Sequence, residues 1–249
     1  MDRYNAMIYK TRPKQVSSGE AVGILLLDTA VPFIPGDVAN ATTYDYPVRF
    51  QKVNGFSVAR AIGKDPSVYD SLKKAAQELV GQGVRAVTGD CGFMAFHQQR
   101  LADELEVPIF LSSLLQIPFI AAIIGRSAKV GVLTADSRSL DDDLLAAVGV
   151  SDPGRVAVAG LQNCRSFQGF AIKETGTLDK VAVEGEVVAA ARRLVDEHES
   201  VKAILLECSL LPPYAPAVQQ VVNLPVFDYI TMIDFVFRAV VKKSYAGFM

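Results

Sequence analysis

Short apolar runs alternate with longer amphipathic stretches along most of this chain, and the alternation predicts strands and helices in turn. Runs at Val22–Leu27, Val48–Val53, Val84–Thr88, Ile109–Leu111, Val130–Thr134, Val156–Ala159, Ala203–Leu206 and Val226–Phe227 read as strands. Ser67–Val80 gathers Val68, Leu72, Ala75, Ala76, Leu79 and Val80 on one helical face. Lys180–His198 does the same with Val181, Val188, Ala191, Leu194 and Val195. Gly81 and Gly83 close the first of these helices. Two more apolar helices are expected over Ser113–Ile124 and Tyr229–Val241. Together these elements predict an α/β fold with mostly parallel sheets.

The pattern is built twice. Val84–Phe110 aligns without a gap on Val201–Phe227, pairing Val84 with Val201, Ala86 with Ala203, Cys91 with Cys208, Pro108 with Pro225 and Phe110 with Phe227. Asp90 meets Glu207, and Arg85 meets Lys202. Upstream, Val22–Asp28 resembles Val130–Asp136, so each copy opens on a similar strand. The repeat predicts two pseudo-symmetric, doubly wound parallel-sheet halves with the active site in the cleft between them. We place one half at 20–125 and the other at 126–227, with the boundary near Gly125–Lys129. The last helix, 228–249, is free to pack back on the first half.

Composition narrows the picture little but usefully. The chain has 249 residues, half of them hydrophobic, and a net charge of −2. That length fits one large domain or two of roughly 120 residues. The charge offers no case for nucleic acid or an anionic membrane as partner. The first 18 residues are basic and polar, without the apolar core of a signal peptide. Leu114–Gly125, the most apolar later stretch, is too short to span a bilayer. A cytoplasmic location is the expectation. Three cysteines and two histidines make neither a disulfide framework nor a convincing metal cluster.

The chemistry lies in the repeated thiols. Ligands of parallel α/β sheets bind where strands end and loops begin, and both Cys91 and Cys208 fall just past a predicted strand and ahead of a helix. A helix N-terminus lowers a thiol's pKa and attracts a carboxylate. Abstracting a proton next to a carboxylate needs a base, an acid on the opposite face and donors for the developing charge. A thiolate and a thiol supply the first two, and the backbone N–H groups of Gly92, Phe93, Ser209 and Leu210 supply the third. Cys164 has no counterpart and reads as core. Strand alternation would turn Asp90 and Glu207 away from the thiols, in the favoured structural or supporting role; pointed inward, their charge would raise the thiol pKa. His97 reads as an ordinary satisfied histidine, and His198 as a solvated helix end.

With these residues in place, the chain resembles the cofactor-independent aspartate/glutamate racemase superfamily. That group includes hydantoin racemases, arylmalonate decarboxylases and maleate cis–trans isomerases. The resemblance rests on the two-half plan, the cysteine after the middle strand of each half, and Asp28-Thr29 at the end of the first strand. It implies that Cys91 and Cys208 are the catalytic pair. By the same resemblance Asp28 and Thr29 support one thiol and bind substrate, and Thr134 and Ser137 lie near the ligand. No metal or organic cofactor is implied, and homodimers are common in the group. The family's Asn-Thr and Thr-His after the two cysteines are replaced here by Gly92-Phe93 and Ser209-Leu210. The loss of polar anchors points to a less polar or bulkier substrate than glutamate or aspartate.

The expected function is that of an isomerase, a racemase or epimerase moving a proton at the carbon α to a carboxylate or carbonyl. Its substrate would be an amino acid, hydantoin or related small acid. A cis–trans isomerase or a decarboxylase on the same fold is the first alternative, and a small-acid-binding protein without turnover is the second. No dinucleotide fingerprint, phosphate loop or nucleophile elbow is present. The loop Phe33–Tyr46 is expected to line or cover the cleft through Thr42, Thr43 and Tyr44, and Tyr214 to face it.

Overall fold

The computed structural model describes residues 12–249. The polar tail read from the first 18 residues falls mostly on positions 1–11, outside the described residues. Eight strands form in chain order: β1 (Val22–Leu26), β2 (Val48–Lys52), β3 (Ala86–Gly89), β4 (Ile109–Phe110), β5 (Lys129–Thr134), β6 (Val156–Gly160), β7 (Val201–Leu206) and β8 (Val226–Phe227). All pairings are parallel, in two sheets ordered β2-β1-β3-β4 and β6-β5-β7-β8.

The two sheets repeat each other residue by residue. Val22 of β1 pairs with Val48 and Ala86, and Val130 of β5 pairs with Val156 and Ala203. Just past the strands, Asp90 N–H donates to Leu25 O at 3.0 Å and Glu207 N–H to Leu133 O at 2.8 Å. The chain leaves β1 for β2 on one side and later enters β3 on the other. Each sheet therefore opens a crevice beyond the C-terminal ends of its two central strands.

Helices cover the sheets for reasons visible in their sequences. Tyr69–Gly81 buries Tyr69, Leu72, Ala75, Ala76 and Leu79, the spacing of one helical face. It ends where Gly83 takes φ +96° in the left-handed region. Lys180–Glu197 is capped by Asp179, whose side chain accepts the Ala182 N–H, and it buries Val183, Val187, Ala190, Ala191 and Leu194. Its inward face is thus rotated from the expected one, leaving Val181 80% exposed. The predicted run mixed positions from two adjacent stripes, and packing on the second sheet selects the one that includes Val183 and Val187.

The helix after each sheet crosses to the other half. Ile117–Ile123 follows β4 and packs against β5. Tyr229–Val240 follows β8 and joins Tyr229, Met232 and Ile233 to Val22, Ile24, Ala86 and Phe110 of the first sheet. A capping box of Asp228 and Thr231 starts that last helix. Among the described residues no helix is long and apolar enough to cross a membrane.

Candidate active site

The two crevices meet in one cavity of about 40 Å³ between the halves. Its walls include Cys91, Gly92 and Phe93 from the turn after β3, and Cys208, Ser209 and Leu210 from the turn after β7. Cys91 is extended, with φ −150° and ψ 127°, and opens the 3-10 turn Gly92–His97. Leu27, Thr29, Val31, Phe33, Val58 and Ile62 complete the wall from the first half. Ala135, Ala171 and Ile172 do so from the second. Ala171 and Ile172 belong to a single π-helical turn, Gln168–Ile172, a backbone irregularity that recurs at functional sites.

Two carboxyl groups also line the cavity, Asp90 and Glu207. This corrects the expectation that alternation turns them away from the thiols. The strands end at Gly89 and Leu206, so the pleat no longer governs the next residue, and both acids are buried. Both Asp90 oxygens accept the Leu27 N–H, at 3.0 and 3.2 Å. Glu207 Oε2 accepts the Thr134 hydroxyl at 2.9 Å, and the nearby Ala135 N–H favours its ionised form. Its Oε1 is buried without a partner. A Cβ on Gly92 would collide with that oxygen, so the glycine is what admits the carboxyl of the opposite half. Burial raises Asp90 to about 8 and Glu207 to about 7.

The thiols are not lowered, contrary to the expectation from their place before helical turns. Burial pushes both Cys91 and Cys208 well above the ordinary range, and the charge of Glu207 adds to it. The N–H groups of Phe93 and Leu210 pull the other way, more weakly. Cys208 and Asp90 raise Cys91 further, and Asp37 and Asp90 raise Cys208.

The remaining predicted positions divide clearly. Thr29 lines the cavity with its Oγ1 buried and unpartnered. Asp28 lies outside, on the surface, where it pairs with Lys52 at 3.0 Å and accepts the Gly55 N–H. Thr134 lies behind the wall and reaches the site only through Glu207. Ser137 is turned to Gln162, which donates to its hydroxyl at 2.9 Å. Ser209 lines the cavity while its hydroxyl donates to the Asp90 carbonyl, stapling the two halves. From the loop Phe33–Tyr46 it is Phe33 that touches the cavity. Thr43 and Tyr44 bond within the loop instead, and Thr42 bonds Asn40. Tyr214 is buried away from the cavity lining.

His97 packs among Phe56, Tyr69 and Phe96, and burial lowers it to about 4, so it is neutral. Cys164 is half-buried and does not line the cavity. Among the described residues no group of three or more His, Cys, Asp or Glu is placed to hold a metal ion. The arrangement gathers four ionisable groups in a mostly apolar enclosure.

Comparison with known proteins agrees on architecture and differs on activity. Allantoin racemase from Pseudomonas fluorescens superposes with a TM-score of 0.60 at 18% identity, covering 91% of this chain and all (100%) of that one. Unliganded arylmalonate decarboxylase gives 0.55 at 16% identity, covering 92% and 95%. These likenesses establish the aspartate/glutamate racemase superfamily fold. No family model matches the sequence. Among curated proteins, a dimethylsulfoniopropionate lyase from Durusdinium sp. clade D is 32% identical over 234 residues, which is 91% of this chain and 77% of the relative. Dimethylsulfoniopropionate lyase 5 from Emiliania huxleyi (strain CCMP1516) is 32% identical over 88% of this chain, which spans only 45% of that relative. The relatives are lyases, whereas the repeat of thiols led to the expectation of an isomerase. The chain is an enzyme of the dimethylsulfoniopropionate lyase family, built on the aspartate/glutamate racemase fold.

Proposed function

We propose that this enzyme cleaves dimethylsulfoniopropionate by β-elimination, with Cys91 and Cys208 as its proton-transfer groups. The observation that carries the reading is that both thiols line a single cavity at matched strand ends, in a chain whose relatives carry that lyase name. The substrate has a carboxylate, a hydrogen-bearing carbon next to it, and a dimethylsulfonio group on the following carbon. A thiolate takes the proton from the carbon α to the carboxylate. The electrons of the broken C–H bond form the C=C bond, and the C–S bond breaks with its electron pair going to sulfur. The products are acrylate and dimethyl sulfide, and the thiol returns its proton to solvent or to the second thiol. The first step is the same α-proton abstraction that a racemase performs. The sulfonium changes the outcome, because it leaves before the carbanion is reprotonated.

Thr29 supports this reading, since its free buried hydroxyl is available to a substrate carboxylate. A second reading keeps the isomerase: a thiol in each half suits 1,1-proton transfer in an amino acid or hydantoin, where no leaving group is present. Proton NMR in D2O separates the two. The lyase reading expects vinyl signals of acrylate to grow from dimethylsulfoniopropionate, with no loss of α-proton signal from pools of chiral amino acids and hydantoins. Thiol-dependent loss of those α-protons, with dimethylsulfoniopropionate left intact, would establish the isomerase instead.

A further inference from the structure

One carboxylate oxygen in the cavity has no claim on it from the protein. Glu207 Oε2 is bonded to the Thr134 hydroxyl, whereas Oε1 is buried and unpartnered. Its counterpart in the repeat, Asp90, has both oxygens on the Leu27 N–H. A buried acceptor left unsatisfied is destabilising, and more so when it is charged. The fold nevertheless makes room for Oε1, since Gly92 lacks the Cβ that would displace it. Among the described residues neither Lys, Arg nor His lines the cavity, so no protein cation faces this acid there. The wall is otherwise mostly apolar, including Phe33, Phe93, Ile172 and Leu210.

We infer that Glu207 is the counter-ion for a cationic, alkyl-clad head group of the substrate, a sulfonium or quaternary ammonium, seated against Oε1 beside the thiols. The choice of sulfonium rests on the elimination reading above; the counter-ion assignment rests on the free oxygen and the absence of protein cations in the lining. A cation there also offsets the negative charge that Glu207 otherwise sets against thiolate formation, so the ligand itself favours the base it needs.

Two probes of the same shape test this by calorimetry: 3-(trimethylammonio)propionate, which carries the charge, and 4,4-dimethylpentanoate, which replaces nitrogen by carbon. The wild-type enzyme is expected to prefer the ammonium probe by at least about tenfold. In Glu207→Gln the preference is expected to fall to near parity. An undiminished preference in Glu207→Gln, or equal affinities in the wild type, would overturn the assignment. A measurement on the wild type alone guards against a variant that does not fold. In buffers of different ionisation enthalpy at pH 7, the ammonium probe should release protons on binding and the probe with the uncharged tert-butyl head should not; equal proton counts would overturn it. Dimethyl sulfide release with a preference indifferent to Glu207 would sink the counter-ion and leave the elimination standing. A Glu207-dependent preference without dimethyl sulfide release would do the reverse.

Discussion

At the scale of single residues, burial delays the ionisation of two acids in the cavity wall, Asp90 and Glu207, and of Asp37 in the loop Phe33–Tyr46. Burial raises Asp37 to about 7, Asp90 to about 8 and Glu207 to about 7, whereas the unfolded chain ionises such groups near pH 4. Between pH 4 and about 7 the folded state therefore holds more protons than the unfolded one. Stability from these groups is full below the unfolded pKa and is lost as pH rises through the folded values. Urea melts from pH 5 to 8 should show a decline on the order of 1.4 kcal/mol per pH unit for each titrating group. Glu207→Gln should flatten part of it, and a flat wild-type profile would contradict the burial of these carboxyls. Gly92 is the second residue on which the site depends. Gly92→Ala should cost about 1–3 kcal/mol by overpacking against Glu207, measured by thermal melting, and should reduce turnover with it.

Among secondary-structure elements, the eight strands were legible because each is a short apolar run bounded by turn residues, and the repeat fixed which ends carry the thiols. The orientation of Asp90 and Glu207 was not legible. Alternation is a property of a strand, and the strands stop one residue before each acid. The signal that would have found them was in the repeat itself, where an acid precedes the thiol in both copies. Thr134, expected near the ligand, ends β5 behind the cavity wall, where its hydroxyl is the partner of Glu207. The apolar wall was hidden for a different reason. Val31, Phe33, Val58, Ile62, Ala171 and Ile172 look like core in a sequence, and only the folded loop, the short helix Val58–Ile62 and the π-helical turn bring them to the cavity. These residues set its size. Phe33→Ala or Ile172→Ala should raise KM for dimethylsulfoniopropionate several-fold while admitting bulkier onium acids; unchanged selectivity would remove these residues from the wall that ligands meet.

As a whole molecule, the enzyme is two copies of one sheet design locked across a shared cavity. The closing helix of each half lies on the other sheet, and the hydroxyl of Ser113 reaches across to the Glu207 carbonyl at 3.0 Å. Tyr229 reaches back from the last helix to the Leu111 carbonyl at 2.9 Å. Gly36, at φ +99°, packs so close to Pro213 that a Cβ there would come within 3.0 Å of its backbone, so the loop bearing Phe33 leans on the second half. Such ties hold the two strand ends in register, so a thiol from each half lines the same cavity. The most direct measurement is the rate of dimethyl sulfide release from dimethylsulfoniopropionate by the wild-type enzyme beside Cys91→Ser and Cys208→Ser. Thiol-based proton transfer predicts release by the wild type and a fall of about 10²–10⁴-fold in at least one variant. No release from the folded wild type, or release undiminished in both variants, would contradict it.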